Sequence, residues 1–251
     1  MDLGIRGKRA LVLGGTSGLG AMAATALAAE GVHITLFARD QAKLAAAKAE
    51  IEAAGGSADI CCGDVTLRAD LHRLRAQLDA QGGLDILVLN SPRPPSPMRD
   101  FLAETEDARW QEAHQNQLDA MLLVLREITP MMLGKGWGRI VAITSASVKN
   151  PMPRHALSTI YRAGLQAALK HLANELAVDG ITVNSVAPAT IMTPTFGQFH
   201  DVSARVAAVP LKRAGRPEEL GATVAFLASD LAGFLTGQVL QLDGGQSSSL
   251  F

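Results

Sequence analysis

The stretch Leu11-Val12-Leu13-Gly14-Gly15-Thr16-Ser17-Gly18-Leu19-Gly20 joins an aliphatic run to an alanine-rich segment that continues to Glu30. A strand pattern therefore hands over to a helical pattern through a turn with the spacing Gly14-xxx-Gly18-x-Gly20. Glycine permits positive φ and close approach of the main chain, while the free N–H groups and positive end of the following helix face whatever lies against the turn. Thr16 and Ser17 add hydroxyl donors. Glycine-rich turns also close purely structural loops; it is the position after a strand and before a helix that predicts a phosphate-binding element.

The chain has 251 residues, of which 48% are hydrophobic, ample for the core of one large α/β domain. Its formal net charge is −1, and its lysines and arginines are scattered, which argues against nucleic acid or an anionic membrane as partner. Small molecules or other protein chains are expected instead. Cys61 and Cys62 are adjacent, a poor framework for a disulfide or a metal site, and read as inert strand residues in a reducing compartment. No metal site is expected. The amino-terminal segment lacks a signal-peptide core, and no stretch approaches the ~18 apolar residues of a membrane span, so a cytoplasmic location is expected.

Short apolar runs alternate with longer helical patterns, the signature of βαβ units around a parallel sheet. Strands are predicted over 9–13, 33–38, 58–62, 86–89, 138–144, 182–187 and 238–242, with helices over 21–30, 41–54, 67–81, 108–133, 158–177 and 217–228. The second strand ends Ala38-Arg39-Asp40. In dinucleotide-binding folds a carboxylate at this end binds the adenosine ribose, whereas an arginine accommodates a 2′-phosphate, so Arg39 favours NADP(H) over NAD(H). Alternatively, Arg39 is a solvated loop charge and Asp40 only caps the next helix.

The glycine turn, Asp64-Val65 after the third strand, Leu84-Asp85-Ile86-Leu87-Val88 before Asn90-Ser91, Gly138-Arg139-Ile140-Val141, Val183-Asn184-Ser185-Val186-Ala187-Pro188 and Thr236–Gly245 follow one another in order. In these motifs the chain resembles the short-chain dehydrogenase/reductase family over nearly its whole length. The resemblance implies a single Rossmann-like, doubly wound α/β domain over 1–251, with a parallel seven-stranded sheet and a substrate lid around 194–212. It implies cofactor contacts at Gly14, Thr16, Ser17, Gly18, Leu19, Gly20 and Arg39, adenine contacts at Asp64 and Val65, and further contacts at Asn90, Ser91 and Arg162. Pro188, Ile191 and Thr193 match the segment that holds the nicotinamide. A homo-oligomer, dimer or tetramer, is implied as well.

The family's catalytic set is a tyrosine, a lysine four residues later, a serine and an asparagine. Four residues turn a helix by about 400°, which brings the lysine back over the tyrosine. Aligned outward from its flanks, the serine is Ser145, the tyrosine position is Ser158, the lysine position is Arg162 and the asparagine position is Gln117; one of four keeps the family's residue. Arg162 can still donate to a ribose but cannot join a proton relay. Ser158 is far less acidic than a phenol and is a poor general acid near neutrality. Tyr161, the chain's only tyrosine, either lines the pocket's edge or packs against a neighbouring helix or subunit. His155 is a second possible proton donor or simply a loop histidine.

Ser91–Pro97 carries four prolines that stiffen one wall, and Phe196, Phe199 and His200 fall in the expected lid. Three functions fit. The first is an NADPH-dependent reductase acting on a small carbonyl, imine or similar acceptor that needs no tyrosine proton. The second is a catalytically impaired cofactor-binding module or partner subunit of an active relative, and the third an isomerase or lyase. Retention of Ser145, Arg39 and the nucleotide turn favours the first; loss of three catalytic positions motivates the second; no residue speaks for the third.

Overall fold

The apolar runs become the strands of one parallel sheet in a computed structural model, which describes residues 1–193, 196–199 and 201–250. The strands are β1 (Arg9–Leu13), β2 (His33–Ala38), β3 (Ser57–Cys62), β4 (Ile86–Asn90), β5 (Gly138–Ile143), β6 (Ile181–Pro188) and β7 (Val239–Leu242), in the spatial order β3-β2-β1-β4-β5-β6-β7. All six pairings are parallel. The order reverses between β1 and β4, which opens a crevice at their carboxyl ends, where ligands of doubly wound sheets bind.

The helices are α1 (Gly18–Ala29), α2 (Gln41–Ala53), α3 (Arg68–Ala80), α4 (Asp107–Ala113), α5 (Ala120–Ile128), α6 (Ala156–Glu175), α7 (Phe196–Phe199), α8 (Val202–Ala208) and α9 (Pro217–Leu227). Side chains alternate across each central strand because the strand period is two. Ala10, Val12, Ile86 and Val88 join the core under α1, α2 and α9, whereas Leu11, Leu13, Leu87 and Leu89 join the one under α3, α5 and α6. Both faces are thus buried, and each fully buried leucine contributes about 2 kcal/mol. Such two-sided burial explains why these strands read as continuous apolar runs rather than alternating ones. No described helix is long and apolar enough to cross a membrane.

One expected element differs. The helix predicted over 108–133 is interrupted by a π turn, His114–Asp119, between α4 and α5, and then gives way to a 3-10 turn, Thr129–Met132, containing Pro130. A π turn closes i to i+5, and the His114–Asp119 ion pair at 3.1 Å spans that same interval. Apolar periodicity continues through the extra residue and so conceals it. The wider turn packs against α6 and carries Gln117 into the interior.

Candidate active site

The glycine turn is built by close approach. Gly14 and Gly18 adopt φ of 61° and 56°, in the left-handed region. A Cβ at Gly20 would lie 2.3 Å from the Gly14 carbonyl oxygen and 2.7 Å from Asn90 Nδ2, so the turn folds flat only with glycine there. Asn90, at the end of β4, thereby braces the turn from the neighbouring strand. Ser17 caps α1 in an extended conformation without a side-chain bond to the helix, so the first-turn N–H groups and this hydroxyl remain available at the crevice. Thr16 is half-buried beside them, and Leu19 packs onto the core beneath α1.

At the far end of the crevice Arg39 and Asp64 meet, with Nη1 3.9 Å from Oδ2. Asp64 is fixed by accepting from the Thr66 backbone N–H (2.9 Å) and hydroxyl (2.8 Å), and its own N–H donates to Asp70. Val65 packs against the core alongside. The Arg39 side chain is 75% exposed, so it is free to turn toward an anion.

The residues expected to form the catalytic end come from separate segments. Ser145 follows β5 and caps the short turn Ala146–Val148, which packs on α6. Its Oγ accepts from the Ser147 N–H (3.2 Å) and the Ser147 hydroxyl (3.0 Å), which leaves its own O–H to donate elsewhere. On α6, Arg162 Nη1 donates to Ser158 Oγ one turn earlier. Burial together with the like charge of Arg93 pulls the Arg162 guanidinium down to about 10, so it remains cationic at neutral pH. Gln117 is fully buried with neither amide atom partnered, and the buried Ser91 Oγ, Arg162 Nε and Thr193 Oγ1 also lack partners among the described residues. Buried polar groups are normally paired, so each of these atoms has hydrogen-bonding capacity left for a polar ligand. Further unpartnered buried atoms are at Thr129, Thr159, Thr182 and Gln241, and Thr159 stands on α6 three residues before Arg162.

Two residues weighed as proton donors are held otherwise. The Tyr161 hydroxyl donates to the Trp110 carbonyl at 3.2 Å, and its ring packs against Trp110 and His114, so it is a helix-packing phenol. His155 is buried, with Nδ1 2.7 Å from the Pro153 carbonyl and Nε2 3.2 Å from Arg205 Nη2. An arginine only donates, so Nε2 must accept and the proton resides on Nδ1. Desolvation holds the imidazole below its ordinary value; the Pro153 bond is the next largest effect and opposes it, and the charges of Arg205, Arg162 and Arg154 each add a smaller downward push. A neutral ring whose only proton is committed to Pro153 is a poor donor to substrate. It serves instead to latch α8, in the expected lid, to the loop before α6.

Because the folded state disfavours imidazolium, full stability is expected above the ordinary value of 6.5 and declines as the pH falls toward the lowered folded-state value. His155→Gln keeps a donor and an acceptor but cannot titrate. Urea unfolding at about pH 7.5 and about pH 5.5 should show a smaller acid loss for the variant than for the parent chain; an equal loss in both would place the sensitivity elsewhere.

The prolyl wall owes its shape to a buried ion pair. Arg109 donates to both carboxylate oxygens of Glu104, at 2.7 and 2.9 Å, and to the Pro97 carbonyl at 2.6 Å. No sequence pattern signals this anchor: its two residues are five apart, a separation that does not match a helical pair. Pro188 and Ile191 are buried, and Ile191 bridges to Gly215 beneath the expected lid. His200, Pro194 and Thr195 lie outside the described residues, as do the side chains of Gln198 and Phe199.

A family model described as enoyl-(acyl carrier protein) reductase matches residues 14–247, a span that includes the glycine turn, Gln117, Ser145, Ser158 and Arg162. The chain belongs to the short-chain dehydrogenase/reductase family. The nodulation protein G of Azospirillum brasilense is 34% identical over 243 residues, covering 95% of this chain and 97% of that protein. Among solved structures, L-sorbose reductase from Gluconobacter frateurii, complexed with NADPH and L-sorbose, superposes with a TM-score of 0.91 at 29% identity, covering 100% of both chains. A 3-oxoacyl (acyl-carrier-protein) reductase from Agrobacterium tumefaciens with NADP bound gives a TM-score of 0.88 at 28% identity, over 97% of this chain and 96% of that one. Ser158 and Arg162 sit one above the other on α6, a turn apart.

Proposed function

We propose that the protein is an NADP(H)-dependent oxidoreductase that reduces a small carbonyl, imine or similar acceptor with a non-standard route for the proton. The observation that carries this reading is the set of buried, unpartnered polar atoms on Ser91, Gln117, Arg162 and Thr193, which fit the nicotinamide end of a dinucleotide. The NADPH and NADP in the two solved relatives support the choice of cofactor. Gly14–Gly20 would take the pyrophosphate, Arg39 the 2′-phosphate, Asp64 and Val65 the adenine, and Asn90 and Ser91 the neighbouring ribose. Pro188, Ile191 and Thr193 would hold the nicotinamide, with Arg162 beside its ribose.

When bound, NADPH supplies the hydride. The chain supplies position and charge. Ser145 and Ser158 each retain a hydroxyl proton to donate to the acceptor oxygen or nitrogen, since Ser145 accepts from Ser147 and Ser158 accepts from Arg162. The Arg162 cation stabilises negative charge developing there, the role of an oxyanion hole. Neither serine titrates near neutrality, so the net proton comes from solvent or from an already protonated acceptor. A homo-oligomer and a cytoplasmic location go with this reading.

Calorimetric titration with NADPH and NADH, followed by a panel of ketones, imines and enones read as NADPH oxidation, tests it. Arg39→Asp should weaken NADPH binding by about 10- to 100-fold, the worth of a charged hydrogen bond, while sparing NADH. Tight NADPH binding with no turnover on the panel would favour the second reading, a cofactor-binding module or partner subunit. The serine and arginine at the family's tyrosine and lysine positions are what keep that reading in view.

A further inference from the structure

The end of the sheet opposite the crevice carries a second polar cluster. His33 opens β2 and Ser57 opens β3, the edge strand, and the parallel register pairs these two residues, with Thr35 opposite Asp59. Side chains two apart on a strand share a face, so Ser57 and Asp59 both reach the His33 ring from the neighbouring strand. His33 Nε2 lies 2.8 Å from Asp59 Oδ2, and Nδ1 lies 2.6 Å from Ser57 Oγ. A carboxylate only accepts, so Nε2 carries the proton, and the neutral ring then offers Nδ1 as acceptor to the Ser57 hydroxyl. Acid, imidazole and hydroxyl thus stand in the order that activates a serine nucleophile, a constellation recognised by geometry and roles rather than by position in the chain.

The acid is held in place. Gln81 Nε2 donates to Asp59 Oδ2 at 2.9 Å, while the Gln81 side-chain carbonyl accepts from the buried Thr35 hydroxyl at 3.3 Å, and Lys48 Nζ stands 3.8 Å from Asp59 Oδ1. Ser57 is exposed, and the His33 and Asp59 side chains are 32% and 37% exposed, so a small reagent reaches the hydroxyl from solvent. The Gly55 and Gly56 N–H groups just before Ser57 already donate to the Glu52 and Ile51 carbonyls, each at 2.9 Å, so neither is free to stabilise an oxyanion. An acyl donor must then bring a good leaving group of its own. The chemistry that fits is acyl transfer from activated esters, not cleavage of amides or alkyl esters.

We propose that Ser57 is an acyl-acceptor site for small activated esters, with His33 as its general base and Asp59 as a positioning residue. Ser57 Oγ bonds to the acyl carbon as its proton passes to His33 Nδ1; the acyl–oxygen bond to the leaving group breaks, and the departing oxygen takes up that proton. Water then hydrolyses the acyl-serine with the same base and releases the acid. The site is independent of the nucleotide crevice and of the reductase reading. The test is incubation of the whole protein with p-nitrophenyl acetate near neutral pH, with acid-quenched samples digested and the acetyl group located by peptide mass spectrometry. Acetylation at Ser57 is expected to run about 100-fold faster than at the exposed Ser248, the lower end of what a positioned base contributes. Ser57→Ala should abolish that label, and His33→Gln should bring Ser57 down to the rate of Ser248. Asp59→Asn should slow the reaction and Asp59→Glu restore part of it, a rescue that a merely structural carboxylate would not give. Circular dichroism establishes that each variant is folded, and His33→Asn replaces His33→Gln where the latter is not. Absence of acetyl from Ser57, equal rates at Ser57 and Ser248, or an unchanged Ser57 rate in His33→Gln or Asp59→Asn overturns the proposal.

Discussion

Gly20→Val is expected to reduce NADPH affinity by at least about 100-fold while leaving the sheet intact. The added Cβ would meet the Gly14 carbonyl oxygen at 2.3 Å and Asn90 Nδ2 at 2.7 Å. The first of these is backbone and the second braces the turn from β4, so the loop itself must move. Displacing it redirects the N–H groups that face the phosphates, and several hydrogen bonds to a charged group, each worth about 1.5–3 kcal/mol, weaken together. Far-ultraviolet circular dichroism should retain its shape, because α1 begins before the substituted residue and is anchored through Ala23, Ala24 and Leu27. A calorimetric NADPH titration of folded Gly20→Val that matched the parent chain would show that the phosphates bind elsewhere.

Glu104→Ala should produce the largest loss of stability among single changes near the site, about 3–5 kcal/mol, because it leaves Arg109 buried without its counter-ion. The two side chains are only 1% and 11% exposed, and Arg109 also donates to the Pro97 carbonyl. By contrast, the solvent-facing Arg213–Glu219 pair should cost no more than about 1 kcal/mol when broken, since water and salt already screen it. The Arg109 hydrogen bonds hold the Glu104 carboxyl below its ordinary value despite its burial. Its contribution is therefore present above about pH 4.5 and is lost as the pH falls through the lowered folded-state value. Urea unfolding of Glu104→Ala beside Arg213→Ala separates the two cases, and equal midpoints would show that the buried pair is not an anchor. The same substitution should weaken substrate binding more than cofactor binding, since the loop it releases carries the prolyl wall.

Much of the architecture was legible in the chain. The β1, β2 and β4 runs are apolar throughout because both faces of a parallel sheet are covered, and the glycine turn announces the crevice because only glycine fits at Gly20. Ser158 and Arg162, four residues apart in the sequence, do share one face of α6, with Arg162 donating to Ser158. The π turn was not legible, because inserting one residue shifts the helical face without changing the apolar content of the segment. The Glu104–Arg109 anchor, the latch between His155 and Arg205, and the packing of Tyr161 on Trp110 were equally hidden.

Local sequence determined the order of the strands and helices, the glycine turn and the one-turn spacing of Ser158 and Arg162 on α6, because each depends on residue type and on spacing within one element. The tertiary structure alone decided which proton His155 carries, where the Tyr161 hydroxyl points, and that Arg93 acts on Arg162. Those outcomes depend on burial and on partners 50 or more residues distant for His155 and Tyr161, and hydrogen bonding and desolvation act through space rather than along the chain.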